Sequence, residues 1–105
     1  MKQLFILLFS LLIGMLHQSL YCNTISVCET CTIKSINEAL EIAQEFDTIV
    51  VQKGTYKEHN LLIQKPITLI GINQPIIDGE NKGEIITIHS DNVTIDGFHI
   101  INVGT

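Results

Sequence analysis

Ile67-Thr68-Leu69-Ile70-Gly71 returns 26 positions later as Val93-Thr94-Ile95-Asp96-Gly97. Two echoes surround it: Ile77-Asp78-Gly79 anticipates Ile95-Asp96-Gly97 after 18 positions, and Ile67-Thr68-Leu69 matches Ile86-Thr87-Ile88 after 19. Repeats in this range indicate a solenoid, in which each coil supplies a few inward apolar side chains and buries them only by stacking on its neighbours. Outward from the repeat, the chain carries short apolar runs at 48–51, 61–63, 67–70, 75–77, 85–88, 93–95 and 98–101. Most are shorter than an ordinary sandwich strand. Glycines at 54, 71, 79, 83 and 97 suit the turns between them, and Pro66 suits a corner where a strand donor is dispensable. An antiparallel sandwich would require longer alternating strands joined by two-residue turns, whereas both Asp-Gly pairs lie inside the repeat. The expected fold is therefore an all-β solenoid, specifically a right-handed parallel β-helix.

A single amphipathic segment precedes these runs. Ser35-Ile36-Asn37-Glu38 has the form of a capping box, and Ile36, Ala39, Leu40, Ala43 and Phe46 share one helical stripe opposite Glu38, Glu41, Gln44 and Glu45. The spacing predicts a helix over 35–46 that covers the open edge of the first coil, as capping elements of repeat proteins do. At the other end, Ile100-Ile101-Asn102-Val103-Gly104-Thr105 contains no comparable element. The expectation there is a β-helix truncated at its carboxyl end.

The amino terminus has a different character. After Lys2, residues 4–16 form an uncharged, mainly apolar run of 13. That length fits the core of a secretory signal and falls short of the roughly 20 residues that span a bilayer. Residues 1–22 are thus expected to be a cleaved signal peptide, 23–34 a cysteine-containing lead-in segment, and 35–105 the capping helix and first coils. Cleavage falls near Ser19 or Cys22, and the bulky Tyr21 argues against lipidation of Cys22. Without the signal the chain keeps five lysines against 11 acidic residues and has no arginine, so nucleic acid is an improbable partner.

Three cysteines occur, at 22, 28 and 31. In an oxidising compartment the Cys28-Glu29-Thr30-Cys31 pair has three open readings: a short disulfide, a redox pair, or a site for a soft metal such as Cu(I). His59, His89 and His99 are dispersed, and Met1 and Met15 leave with the signal. The turn Asp78-Gly79-Glu80-Asn81-Lys82-Gly83-Glu84 gathers three carboxylates, but as a calcium loop it fails: Lys82 occupies a ligand position and His89 stands where the closing glutamate belongs. It reads as a solvated turn. Asn92-Val93-Thr94 is a formal glycosylation sequon that threonine on a sheet face explains equally well.

Taken in order, Val27-Cys28-Glu29-Thr30-Cys31, Ser35-Ile36-Asn37-Glu38-Ala39, Asp47-Thr48-Ile49-Val50-Val51 and Gly54-Thr55-Tyr56-Lys57-Glu58 resemble a known family. The likeness continues through Lys65-Pro66-Ile67-Thr68-Leu69-Ile70-Gly71, Ile76-Ile77-Asp78-Gly79 and Asp91-Asn92-Val93-Thr94-Ile95-Asp96-Gly97-Phe98. The set resembles the amino-terminal part of the NosD family, periplasmic proteins that help mature nitrous oxide reductase. The resemblance implies a β-helix of the carbohydrate-binding and sugar-hydrolase type, used as a metallochaperone and scaffold and not as an enzyme. It implies work with an ABC transporter of the inner membrane and a copper-donating lipoprotein in assembling the reductase's copper-sulfide centre. Cys28 and Cys31 would then be the copper-binding candidates. A polysaccharide lyase or hydrolase on the same fold, or a purely adhesive surface protein, are the alternative readings.

Overall fold

The computed structural model describes residues 22–104; the expected signal peptide lies outside the described residues, apart from Cys22. The chain runs β1 (Thr24–Val27), helix α1 (Ile36–Ile42), β2 (Thr48–Val51), β3 (Thr55–Lys57), β4 (Leu61–Ile63), β5 (Thr68–Gly71), β6 (Ile76–Asp78), β7 (Ile86–Ile88), β8 (Thr94–Asp96) and β9 (His99–Ile101). Every strand pairing is parallel. The strands form three sheets, ordered β1-β2-β5-β8, β3-β6-β9 and β4-β7. Each sheet is one face of a β-solenoid of about three stacked turns.

Alternation within each strand explains how so short a chain makes a core. Successive side chains point to opposite sides of a strand. Ile49 and Val51 of β2, Tyr56 of β3, Leu61 and Ile63 of β4, Leu69 of β5 and Ile77 of β6 are all buried. Burying an aliphatic side chain of this size is worth about 1.5–3 kcal/mol. Most outward positions are polar or half-buried, with Leu62 of β4 an exposed apolar exception, and on the first face they include a threonine column, Thr24-Thr48-Thr68-Thr94, in register.

Helix α1 closes the upper end. Ile36, Ala39 and Ala43 are buried in the same cluster as Val27, Ile49, Val51, Leu61 and Ile63, with Leu40 packed against it. The helix thus covers the first coil, as its stripe predicts. Its ends are tied by side chains from that coil. The Glu58 carboxylate, just past β3, accepts from the amides of Ile36 at 2.8 Å and Asn37 at 2.9 Å. Lys65, just past β4, donates to the Ala43 carbonyl at 2.7 Å. A carboxylate at the amino end and an ammonium at the carboxyl end both oppose the helix dipole's charge. The predicted capping box is half made: the Ser35 hydroxyl accepts from the Glu38 amide at 3.1 Å, while the carboxylate at this end is that of Glu58, which serves the Ile36 and Asn37 amides instead of the Ser35 amide.

The helix is also shorter than the stripe suggests. It stops at Ile42 because Ala43 turns extended, and Phe46 has φ 68° and is 61% exposed, outside the core. Asp47 explains the stop. Its buried carboxylate accepts from the Gln44 amide at 2.8 Å and the Asn23 amide at 2.9 Å, joining the exit of α1 to the start of β1. A carboxylate taken out of water needs such partners, and here the chain bends to provide them.

Of the three sequence echoes, only the 26-residue one is a stacked pair: Thr68 lies on Thr94 and Leu69 on Ile95. The other two match strands on different faces of the coil. Ile77 stacks under Tyr56 and Ile86 under Leu61, not on the strands they resemble.

The cystine loop and its groove as candidate functional site

Parallel pairing sets where the site lies. Val27 at the end of β1 is in register with Val51 at the end of β2, so the loops leaving these strands emerge side by side. One carries Cys28 to Lys34; the other carries Gln52 to Gly54. The Gln52 amide donates to the Val27 carbonyl at 2.9 Å, which fixes the two together. Between them runs a groove of about 350 Å³ lined by Glu29, Lys34, Lys53, Gly54, Thr55 and Tyr56.

Cys28 and Cys31 are joined as a disulfide across this turn, with Cα atoms 5.0 Å apart. Backbone bonds support the same turn: Cys31 N–H donates to the Cys28 carbonyl at 3.2 Å and Cys28 N–H to the Ile33 carbonyl at 3.2 Å. A loop this short contributes only about 2 kcal/mol in the chain-entropy picture. Both cysteines are half-buried, and Glu29, Thr30 and Thr32 around them are exposed. As a disulfide the pair has no thiolate for Cu(I); two soft ligands become available only on two-electron reduction. The Thr30 hydroxyl lies 3.5 Å from the Cys28 sulfur.

Tyr56 forms the groove's inner wall. Its hydroxyl donates to the Gln52 carbonyl at 2.8 Å, with the Val27 carbonyl also near at 3.4 Å. Burial, then the negative charges of Glu58 and Glu29, push its pKa above the ordinary 10.0. The phenol therefore stays protonated as a donor and is not a base at neutral pH.

The three histidines among the described residues do not join the cystine. His59, His89 and His99 are exposed, and among the described residues no three of His, Cys, Asp or Glu gather as a group able to hold a metal ion. Cys22 is a free, exposed thiol ahead of β1. The acidic turn 78–84 is a surface turn in which Lys82 pairs with Glu80 at 3.8 Å. A second groove, about 290 Å³, lies between α1 and β4, lined by Asn37, Leu40, Glu41, Leu62, Lys65 and neighbours.

Sequence reading found the cysteine pair and missed what surrounds it. Lys34 follows the cystine on its own loop, but Lys53 and Tyr56 reach it only because β1 pairs with β2, and the lead-in segment as read from sequence contains no strand at β1. A signal for it exists: Thr24-Ile25-Ser26-Val27 matches Thr48-Ile49-Val50-Val51 at three of four positions. Set against known proteins, the chain matches no family model, no curated protein and no solved structure.

Proposed function

We propose that this chain is an exported, non-catalytic accessory protein of nitrous oxide reductase maturation. On this reading it is periplasmic and takes part in copper and sulfur delivery to the reductase's copper-sulfide centre. It does so with an ABC transporter of the inner membrane and a copper-donating lipoprotein. The observation that carries the reading is the paired Cys28 and Cys31, held in one turn at the capped end of a rigid scaffold and open to solvent. Once reduced, two thiolates so placed suit Cu(I), a soft ion that accepts low coordination numbers. Copper here is cargo.

The test is Cu(I) titration of the reduced chain against a chromophoric chelator. One equivalent should bind, and the Cys28→Ser/Cys31→Ser double variant should bind at least tenfold more weakly. Equal binding by the two would end the proposed role of the pair. Release of unsaturated or reducing sugar ends from pectin-like polymers would replace the reading with the carbohydrate-enzyme one.

A further inference from the structure

We infer that the Cys28–Cys31 disulfide is a redox gate that an external dithiol opens without unfolding the solenoid; its effect on copper rests on the function proposed above. Three observations support it. First, the turn does not depend on the sulfur bridge for its shape. Strand β1 is held by four register pairs to β2, Val27 is fully buried, and a further bridge joins Val27 to Ile33. The Cys31-to-Cys28 and Cys28-to-Ile33 backbone bonds remain when the disulfide opens, so the two sulfurs stay together as a dithiol.

Second, the bridge can be reached. Both cysteines keep part of their surface, and the loop residues between and beyond them are exposed. Glu29, between the two cysteines, and Lys34, three residues past Cys31, both line the groove shared with Lys53 and Tyr56, so the cystine loop forms one of its walls. Lys34 and Lys53 on its rim favour an anion on approach.

Third, the reductant must come from a second molecule. The remaining thiol among the described residues, Cys22, precedes β1 while Cys28 follows it, and an extended strand at about 3.3 Å per residue puts them roughly 20 Å apart. Intramolecular exchange is out of reach.

The exchange balances as follows. A thiolate of the external dithiol attacks one sulfur of the cystine, the sulfur–sulfur bond breaks, and the other cysteine leaves as thiolate. The second thiol of the reductant then attacks its own mixed disulfide and releases the first cysteine. Two electrons and two protons pass to the chain, and the reductant becomes a disulfide. Cu(I) binding to the dithiol then releases those protons to solvent.

The experiment uses the full chain equilibrated in dithiothreitol buffers of stepped reduced-to-oxidised ratio, with the dithiol fraction read by alkylation and mass. Melting is followed by circular dichroism, and Cu(I) uptake is measured after anaerobic removal of the thiols. Complete reduction should lower the melting midpoint by roughly 8–16 °C and leave one cooperative transition. Amides of β1 should keep their exchange protection, and Cu(I) uptake should rise at least tenfold in step with the dithiol fraction. Loss of cooperativity or of β1 protection on reduction overturns the gate. Equal Cu(I) uptake by the oxidised and reduced chains also overturns it, while leaving copper handling intact. A reversible, folded dithiol that takes up no Cu(I) upholds the gate and removes the copper-handling function instead.

Discussion

The two ends of the solenoid are built from the same inward pattern and are buried very differently. Tyr56, Ile77 and Ile100 stack in one column, yet Ile77 is fully buried and Ile100 is 42% exposed. Ile63 and Ile88 share another column, at 1% and 47% exposure. The side chains are equivalent and their registers agree; what differs is the neighbour. Ile63 has α1 above its coil and β7 beside it, whereas among the described residues nothing covers the far side of Ile88 or Ile100. Burial in this fold belongs to the stack and not to the residue, which is why a helix at one end does as much for the core as a strand.

The sharpest way to break that equivalence is to truncate one column at two heights. Leu69 and Ile95 are stacked partners on the first face, the former fully buried and the latter half-buried. Leu69→Ala should destabilise the chain by about 3 kcal/mol, because the cavity lies between two coils that cannot collapse into it. Ile95→Ala should lose about 1–2 kcal/mol, since solvent already reaches part of the site. Urea unfolding checks both; equal losses would mean that the third coil is packed as firmly as the second.

The next effect separates crowding from backbone conformation in the turns. Gly71 sits where a Cβ would lie 2.6 Å from the Gly97 carbonyl oxygen and 2.8 Å from the Pro75 ring, so the second and third coils touch there through bare backbone. Gly71→Ala should cost about 2 kcal/mol by overpacking alone. Gly83 has φ 103° but open space around it, with Asn60 Oδ1 the nearest atom at 3.9 Å. Gly83→Ala should cost about 1 kcal/mol, from conformation only. Thermal melting of the pair measures the difference, and a larger loss at Gly83 would reverse the assignment.

These contrasts also show what the sequence can carry. The solenoid was legible because Thr68-Leu69-Ile70 and Thr94-Ile95-Asp96 truly stack. The exact coil was not. Apolar-Thr-apolar triplets serve two different faces, so Ile86-Thr87-Ile88 on one resembles Ile67-Thr68-Leu69 on another that it never meets, and loops of different length let successive coils vary. Strand β3 was missed because Thr55-Tyr56-Lys57 has only one inward residue. The helix stripe ran on to Phe46 because periodicity cannot register that Asp47 needs the Gln44 amide. At the candidate site, the two cysteines were legible as a pair, while the groove beside them depends on the parallel pairing of β1 with β2, which no local motif encodes.

The smallest effect compares two aspartates that each tie one coil to the next. Asp47 does so buried, through backbone amides, at the helix-capped end. Asp78 does so at the other end: its Oδ1 accepts from Asn102 Nδ2 at 2.9 Å and from the Glu80 amide at 2.9 Å. Chiefly the Asn102 side chain, then the Glu80 amide, hold its carboxyl below the ordinary 3.8, with Lys57 adding to the effect. A folded-state value below the unfolded one means that the carboxylate's stabilising contribution is complete above about pH 4 and disappears as pH falls through the folded-state value. Asn102→Gly tests this cleanly, because Asn102 has φ 57° and glycine keeps that conformation while removing the amide. The variant should melt slightly below the parent at pH 7, and the gap should narrow at acid pH as Asp78 takes up its proton. A gap of the same size at both pH values would mean that the loss comes from glycine's chain entropy and that the Asp78–Asn102 bond does not join the second coil to the third.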